Sequence, residues 1–331
     1  MAQQVKLFLI RHGETVDNVA QVYAGTTDSV LTNHGYQQAT RLGLHFKAMG
    51  LSFTHLFSSH LQRAATTAGL IQEAQVALPA TDRSVPNVVQ LPVLMEQDFG
   101  FYEGKKWYDK RDDPKATPGF VDIESKESLA QRADAFLDSH LLPLLNSSTG
   151  PTSKVIAVVS HGIMLSTLWK RLLARLPHHS VTFAPELLAN TRAPTLEHLG
   201  GWSNTGYLEL HMQYAVSIAP LESATQAELP QSQDIAGQTS VEAVVDDVPV
   251  TKSTTVVATG SEATMKSDQP TGSVSQGLQV RLPTGWTTTI QSVNGKDHLG
   301  SLKRTRGGVG SARHDSSQKN IESFFKRKKL E

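Results

Sequence analysis

Cysteine is absent from all 331 residues. That absence excludes a disulfide framework, a thiolate zinc site and a cysteine nucleophile together. A net charge of either sign is missing too, since 31 Lys and Arg balance 31 Asp and Glu. The whole chain therefore advertises no polyanionic partner, although local charge still counts. No stretch reaches the ~18 apolar residues of a membrane span. The opening MAQQVKLFLI lacks the long apolar core and small-residue cleavage site of a secretory leader. The expectation is a soluble protein of the cytoplasm, the nucleus or both, with no membrane contact. The length fits one large or two ordinary domains.

What is present divides into two halves. VKLFLI (5–10) is a short apolar run of strand length. Thr32 stands where it can cap a helix through LTNHGYQQATRLGLHFKAMG, which Gly50 ends. THLFSS (54–59) reads as a strand and 61–75 as a helix; 127–145 is a third helix. KVIAVVS (154–160) is an apolar strand followed directly by a helix over 163–176. This alternation predicts an α/β fold, a three-layer α/β/α sandwich on a mostly parallel sheet. Ligands of such sheets lie beyond the carboxyl ends of the strands.

After YLELHMQYAVSI the composition changes to Ser, Thr, Gln, Gly and Val. Such a tract buries too little apolar surface to offset its ordering entropy. The expected organisation is a domain over 1–213, a disordered low-complexity linker over 214–314 and a short terminal motif over 315–331. Residues 215–270 hold eight acidic and two basic residues, whereas 296–331 hold ten basic and four acidic. GLQVRLPTGWTTTIQSV (277–293) stands out as a more ordered piece that this scheme does not explain.

The chemistry gathers at strand tips. The first strand runs into Arg11, His12 and Gly13. A guanidinium matches phosphate oxygens two at a time, and a neutral imidazole nitrogen is a competent nucleophile toward phosphorus. Gly13 lets the backbone turn where a side chain would block a ligand. Arg63 opens the helix after the second strand, and His161-Gly162 follows KVIAVVS. A strand-to-helix junction offers free N–H groups and a positive dipole end. Taken singly, each residue is an ordinary surface arginine or packing histidine. Three of them on one rim of one sheet point to a phosphate pocket.

These stretches resemble the histidine phosphatase superfamily, the phosphoglycerate-mutase-like group, over about residues 5–213. The signature RHGE(S/T)xxN stands as Arg11 to Asn18; LTNHGYQQA, SSHLQRAATTA, LMEQDFGFYEG and Ser160-His161-Gly162 follow in the family's order. The resemblance implies that His12 is the nucleophile and becomes a phosphohistidine. It implies that Arg11, Arg63 and His161, the last protonated, hold the phosphoryl oxygens. Asn18 assists, Thr15, Gly25 and Gly162 complete the phosphate-binding set, and Glu96 is the proton donor. No metal or cofactor is expected. Mutases of this group typically carry arginine directly after the acid, whereas Gln97 stands here, so the phosphatase branch is favoured. Lys105, Lys106, Lys110 and Arg111 are candidates for clamping a second anion or for a solvated loop. The expected substrate is a phosphorylated small molecule or a phosphoprotein. The alternatives are a phosphoglycerate-type mutase and a catalytically weak adaptor that binds phosphorylated ligands. Residues 177–201 are expected to form a rim or lid; their His178 and His179 lack a matching metal-ligand cluster.

The terminus reads SSQKNIESFFKRKKLE. Gln318, Ile321, Phe324 and Phe325 resemble the peptide box that binds the eukaryotic sliding clamp, PCNA. One helical turn would bring Ile321 beside the paired aromatics as a hydrophobic plug. The following KRKK also reads as a nuclear localisation signal, and a basic terminus would touch nucleic acid weakly and without sequence preference.

Overall fold

In the computed structural model the described residues are 3–76, 85–108, 115, 117–147, 153–190, 195–215 and 280–317. The first strand, β1 (Gln3–Arg11), shows why the apolar run is nearly continuous. Val5, Leu7 and Leu9 face one core and Phe8 and Ile10 face another, so both sides of the strand are covered. The chain continues through α1 (Val16–Ala20), α2 (Asn33–Ala48), β2 (His55–Ser59), α3 (Gln62–Val76) and β3 (Val88–Leu91). After a 3-10 turn at Pro92–Leu94 come α4 (Lys126–Phe136), a π-helical turn at Leu137–Leu141 and α5 (Leu142–Asn146). The domain proceeds through β4 (Ser153–Ser160), α6 (Gly162–Arg175), β5 (Val181–Phe183), α7 (Pro185–Asn190), β6 (Tyr207–Tyr214) and β7 (Trp286–Gly295).

The seven strands form one sheet in the order β3-β2-β4-β1-β6-β7-β5. The pairings β2–β3, β2–β4, β1–β4 and β5–β7 are parallel, while β6 is antiparallel to both β1 and β7. Helices α4, α5 and α6 cover one face, α2 and α3 the other. The fold is thus the expected α/β/α arrangement. Thr32 does cap α2, its hydroxyl accepting from the Gly35 amide at 2.9 Å. Because β1, β2, β3 and β4 run the same way, their carboxyl ends share one rim.

One boundary moves. The linker drawn over 214–314 includes β7, and residues 280–317 belong to the same compact unit as 3–215. Trp286, Thr288 and Ile290 point inward, at 2%, 0% and 0% exposure, so the period-2 alternation of a half-buried strand is met. Leu282 donates its N–H to the Arg175 carbonyl at 2.8 Å, fixing the returning chain at the end of α6. The turn-rich, polar flanks hid this strand, because its partner β6 lies some seventy residues upstream and only tertiary pairing reveals it. Residues 216–279, and Gln318, Ile321, Phe324 and Phe325, lie outside the described residues.

Candidate active site

His12 follows β1 directly, and its amide donates to the Ser160 carbonyl at 3.0 Å, tying the tips of β1 and β4 together. Its Nδ1 lies 2.7 Å from the Gly13 carbonyl. A carbonyl only accepts, so Nδ1 carries the proton and Nε2 keeps the lone pair. Burial, then the positive charges of Arg63 and Arg11, hold the His12 pKa well below the ordinary imidazole value. The ring is therefore neutral at physiological pH. Gly13 is required by close approach rather than by a special turn, since a Cβ there would sit 2.6 Å from the Gly35 carbonyl oxygen.

His161 caps the tip of β4, with its ring centroid 5.1 Å from that of His12. Arg63 Nε donates to His161 Nδ1 at 3.1 Å, which leaves the proton of this ring on Nε2. Burial first, then Arg63, His12 and Arg11, push its pKa well below the ordinary value. The expected protonated His161 is corrected accordingly: the ring is neutral and acts as a donor through Nε2. That Nε2 and Arg11 Nε are both buried and have no hydrogen-bond partner. Leaving a buried donor unpaired costs roughly 1–3 kcal/mol, so two of them lining one cavity mark a place built for an acceptor-rich group.

Arg63 spends its other donors on scaffold. Nη1 bonds the Thr27 carbonyl at 2.7 Å and Nη2 bonds those of Ala24 and Gly25 at 3.1 and 2.8 Å. The charge remains at the cavity, but the guanidinium also clamps the 24–27 loop. Glu103 holds the same loop from behind, accepting from the amides of Gly25, Thr26 and Thr27 and from the Thr27 hydroxyl. Burial pushes the Glu103 carboxyl up, yet that hydroxyl and the amides of Phe99, Thr26 and Thr27 outweigh it and hold its pKa below the usual range. Gly25 does not line the cavity; a Cβ there would lie 2.0 Å from the Gln97 carbonyl oxygen. Its service is through its carbonyl, to Arg63.

Glu96 stands at the start of α6. Its Oε1 accepts from the amides of Gln97 and Met164 at 3.1 and 3.0 Å, and Oε2 from Ile163 at 3.1 Å. It is the helix cap, borrowed from another segment, because the His161 side chain makes no capping bond. Two amides of this junction, those of Ile163 and Met164, are thus taken by the acid. Arg132 of α4 fixes the Glu96 segment from beneath, donating to the carbonyls of Val93, Met95 and Glu96 at 3.0, 2.8 and 3.2 Å while pairing with Glu124 at 2.6 Å.

Thr15 and Asn18 form a capping box on α1: the Thr15 hydroxyl accepts from the Asn18 amide at 3.1 Å and Asn18 Oδ1 accepts from the Thr15 amide at 3.2 Å. Asn204 Nδ2 adds a second donor to that Oδ1 at 3.1 Å, so the Asn18 side chain keeps its amide group for a ligand. Arg11 is steadied by the Trp202 carbonyl at 2.6 Å.

Arg11, His12, Thr15, Asn18, Arg63, Glu96, His161 and Gly162 all line one cavity of about 580 Å³. Lys105 instead lies over the Phe101 ring and Lys106 donates to the Ala20 carbonyl, neither lining that cavity. Lys110 and Arg111 lie outside the described residues. From the expected rim segment only its last residue, Gly201, reaches the cavity wall among the described residues, and Trp202 lies just beyond that segment. Residues 7–200 match the histidine phosphatase superfamily (branch 1). The chain belongs to that superfamily.

Among its relatives, a probable phosphatase of Schizosaccharomyces pombe is 34% identical over 206 residues, 60% of this chain and 62% of that protein. This chain thus spans less than two thirds of that relative's length. A probable phosphoglycerate mutase of Erwinia tasmaniensis is 30% identical over 51% of this chain and 75% of its own length. Among solved structures, mycobacterial hydrolase 1 superposes with a TM-score of 0.47 at 22% identity, over 64% of this chain and 92% of that one.

The superfamily motifs did not disclose Arg132, Glu124, Asn204 or Trp202. Glu103 lies within the legible FGFYEG stretch, but its clamp on residues 25–27 is a tertiary fact. So is the ion pair between Glu14 and Arg304, 290 positions apart, in which Glu14 Oε1 also accepts from the Thr32 hydroxyl at 2.8 Å. His314 stacks on Tyr36 at 3.7 Å, so the returning chain is fastened along α2 beside the signature loop.

Proposed function

We propose that this superfamily member is a phosphomonoester hydrolase working through a phosphohistidine on His12. The observation that carries the reading is a neutral imidazole with a free Nε2 lone pair, beside two buried, unpartnered N–H donors on Arg11 and His161. In the first step Nε2 attacks phosphorus in line. The P–N bond forms as the P–O ester bond breaks, and Glu96 gives its proton to the leaving oxygen. Arg11 and Arg63 supply fixed positive charge where the equatorial oxygens gather negative charge, without a metal. In the second step water attacks phosphorus, Glu96 takes the water's proton, and the P–N bond breaks to release phosphate.

The test is a rapid quench with 32P-labelled ester. A base-stable, acid-labile label on His12, with turnover undiminished in EDTA, is the expected result. A label elsewhere, or turnover without one, overturns the reading. The probable mutase among the relatives supports a second reading, in which an added alcohol rather than water takes the phosphoryl group. Transfer to an acceptor that outpaces phosphate release would establish it. Gln97 weighs against it, because its amide is turned onto the Glu124 carbonyl at 2.7 Å and offers no cation.

The tail completes the proposal. Residues 315–331 dock the enzyme to the sliding clamp, and the KRKK run directs part of the protein to the nucleus. A peptide of these residues is expected to bind the clamp with micromolar affinity, about −8 kcal/mol. Calorimetry showing full binding by a Phe324→Ala/Phe325→Ala peptide would refute this.

A further inference from the structure

We infer that the alcohol released from the substrate is ring-bearing or comparably apolar and carries no second anionic group. The inference rests on the hydrolase reading and extends it to substrate class. The cavity is built in two parts. Its floor holds Arg11, His12, Arg63, His161 and Glu96; its walls bring Tyr23, Phe99, Trp107, Ile163 and Trp202. At about 580 Å³ it falls in the size range of pockets that enclose whole organic ligands, well beyond a phosphate alone.

The walls are preformed and apolar. Tyr23 and Phe99 pack with ring centroids 4.7 Å apart. The Trp202 indole is locked by a 2.9 Å bond from Nε1 to the Ser166 hydroxyl, which itself donates to the Gly162 carbonyl at 2.9 Å. That hydroxyl is therefore not waiting for a sugar. Trp107 and Ile163 remain 48% and 38% exposed at the cavity, apolar surface that a flat ligand would cover.

Among the described residues, positive charge at the cavity is confined to the floor. Among the described residues, Arg11 and Arg63 are the cations that line the cavity. Both belong to the phosphoryl site. A carboxylate or second phosphate on the leaving alcohol would lose its hydration against aromatic walls that offer it no cation among the described residues, a costly exchange. An apolar group gains by the same burial.

The experiment compares three alkyl esters of similar intrinsic reactivity with the full-length protein: 2-phenylethyl phosphate, glycerol 3-phosphate and 3-phosphoglycerate. The phenylethyl ester is expected to lead in kcat/KM by roughly 30-fold, the scale set by burying one ring. Trp107→Ala is expected to cut that ratio to within roughly threefold. Binding of the same three esters to His12→Ala, followed by calorimetry, should keep the same order. Equal or better use of the glycerol or glycerate ester, in turnover and in binding, overturns the inference. Absence of all turnover, with the phenylethyl preference intact in His12→Ala binding, would sink the hydrolase reading and leave the pocket assignment standing.

Discussion

His12→Ala is expected to reduce phosphate release from any ester by at least about 10⁴-fold, the scale on which removal of a covalent nucleophile is felt. No neighbour can replace it. His161 Nδ1 is occupied by Arg63 Nε, so the second ring has no free lone pair to offer. Retention of more than a few per cent of activity would show that phosphoryl transfer does not pass through this nitrogen. The same ring sets a pH dependence. Protonation of His12 abolishes its nucleophilicity, and burial with Arg63 and Arg11 holds its pKa well below 6.5. Activity is therefore expected to persist below pH 6.5, failing only when the depressed pKa is reached. A kcat/KM profile already half lost at pH 6.5 would contradict the geometry. Stability carries the same sign. The unfolded chain takes up protons near pH 6.5 that the buried His12 and His161 refuse, and His298 is likewise pushed down to about 4, chiefly by burial. Stability thus declines as pH falls below 6.5, the unfolded imidazole value.

Truncation after residue 213 is expected to yield no stable domain, although the superfamily motifs all lie upstream. The cut removes Trp286 and Ile290, 2% and 0% exposed, with Leu282 at 4%. Loss of a buried tryptophan alone costs about 3–5 kcal/mol, against a total stability of about 5–15 kcal/mol. It also strips β6 of its neighbour, leaving a long unpaired edge open to aggregation, and takes Arg304 from Glu14. Deletion of 218–278 is the informative contrast. Tyr214 pairs with Trp286 and the Ala215 amide donates to the Gly285 carbonyl at 3.2 Å, so a short loop can join β6 to β7. That deletion is expected to keep a cooperative thermal transition, and the truncation to lose it. A truncated protein melting like the full chain would refute the account of β7.

The strand-tip residues were legible because their placement is local. A parallel strand must deliver the residue after its last pair to the carboxyl-end rim, so Arg11, His12, Arg63 and His161 could be assigned from apolar runs and the helices that follow them. Short edge strands such as β3 and β5 escaped notice, since VVQL and VTF are too brief to show a period. The capture of β7 was invisible for the complementary reason. Its alternation was there to read, but pairing over such a separation is decided by which edge of the sheet is left open.

Local chain order specifies the inventory: a cysteine-free α/β chain with imidazoles and guanidiniums at successive strand ends. The tertiary structure alone decided protonation and restraint. It set Arg63 against His161 so that the ring is a neutral donor, turned Glu96 into the cap of a helix that starts 66 positions later, and braced that segment with Arg132. These outcomes depend on distances between groups far apart in the chain. Desolvation and hydrogen-bond direction act only once the groups are brought together.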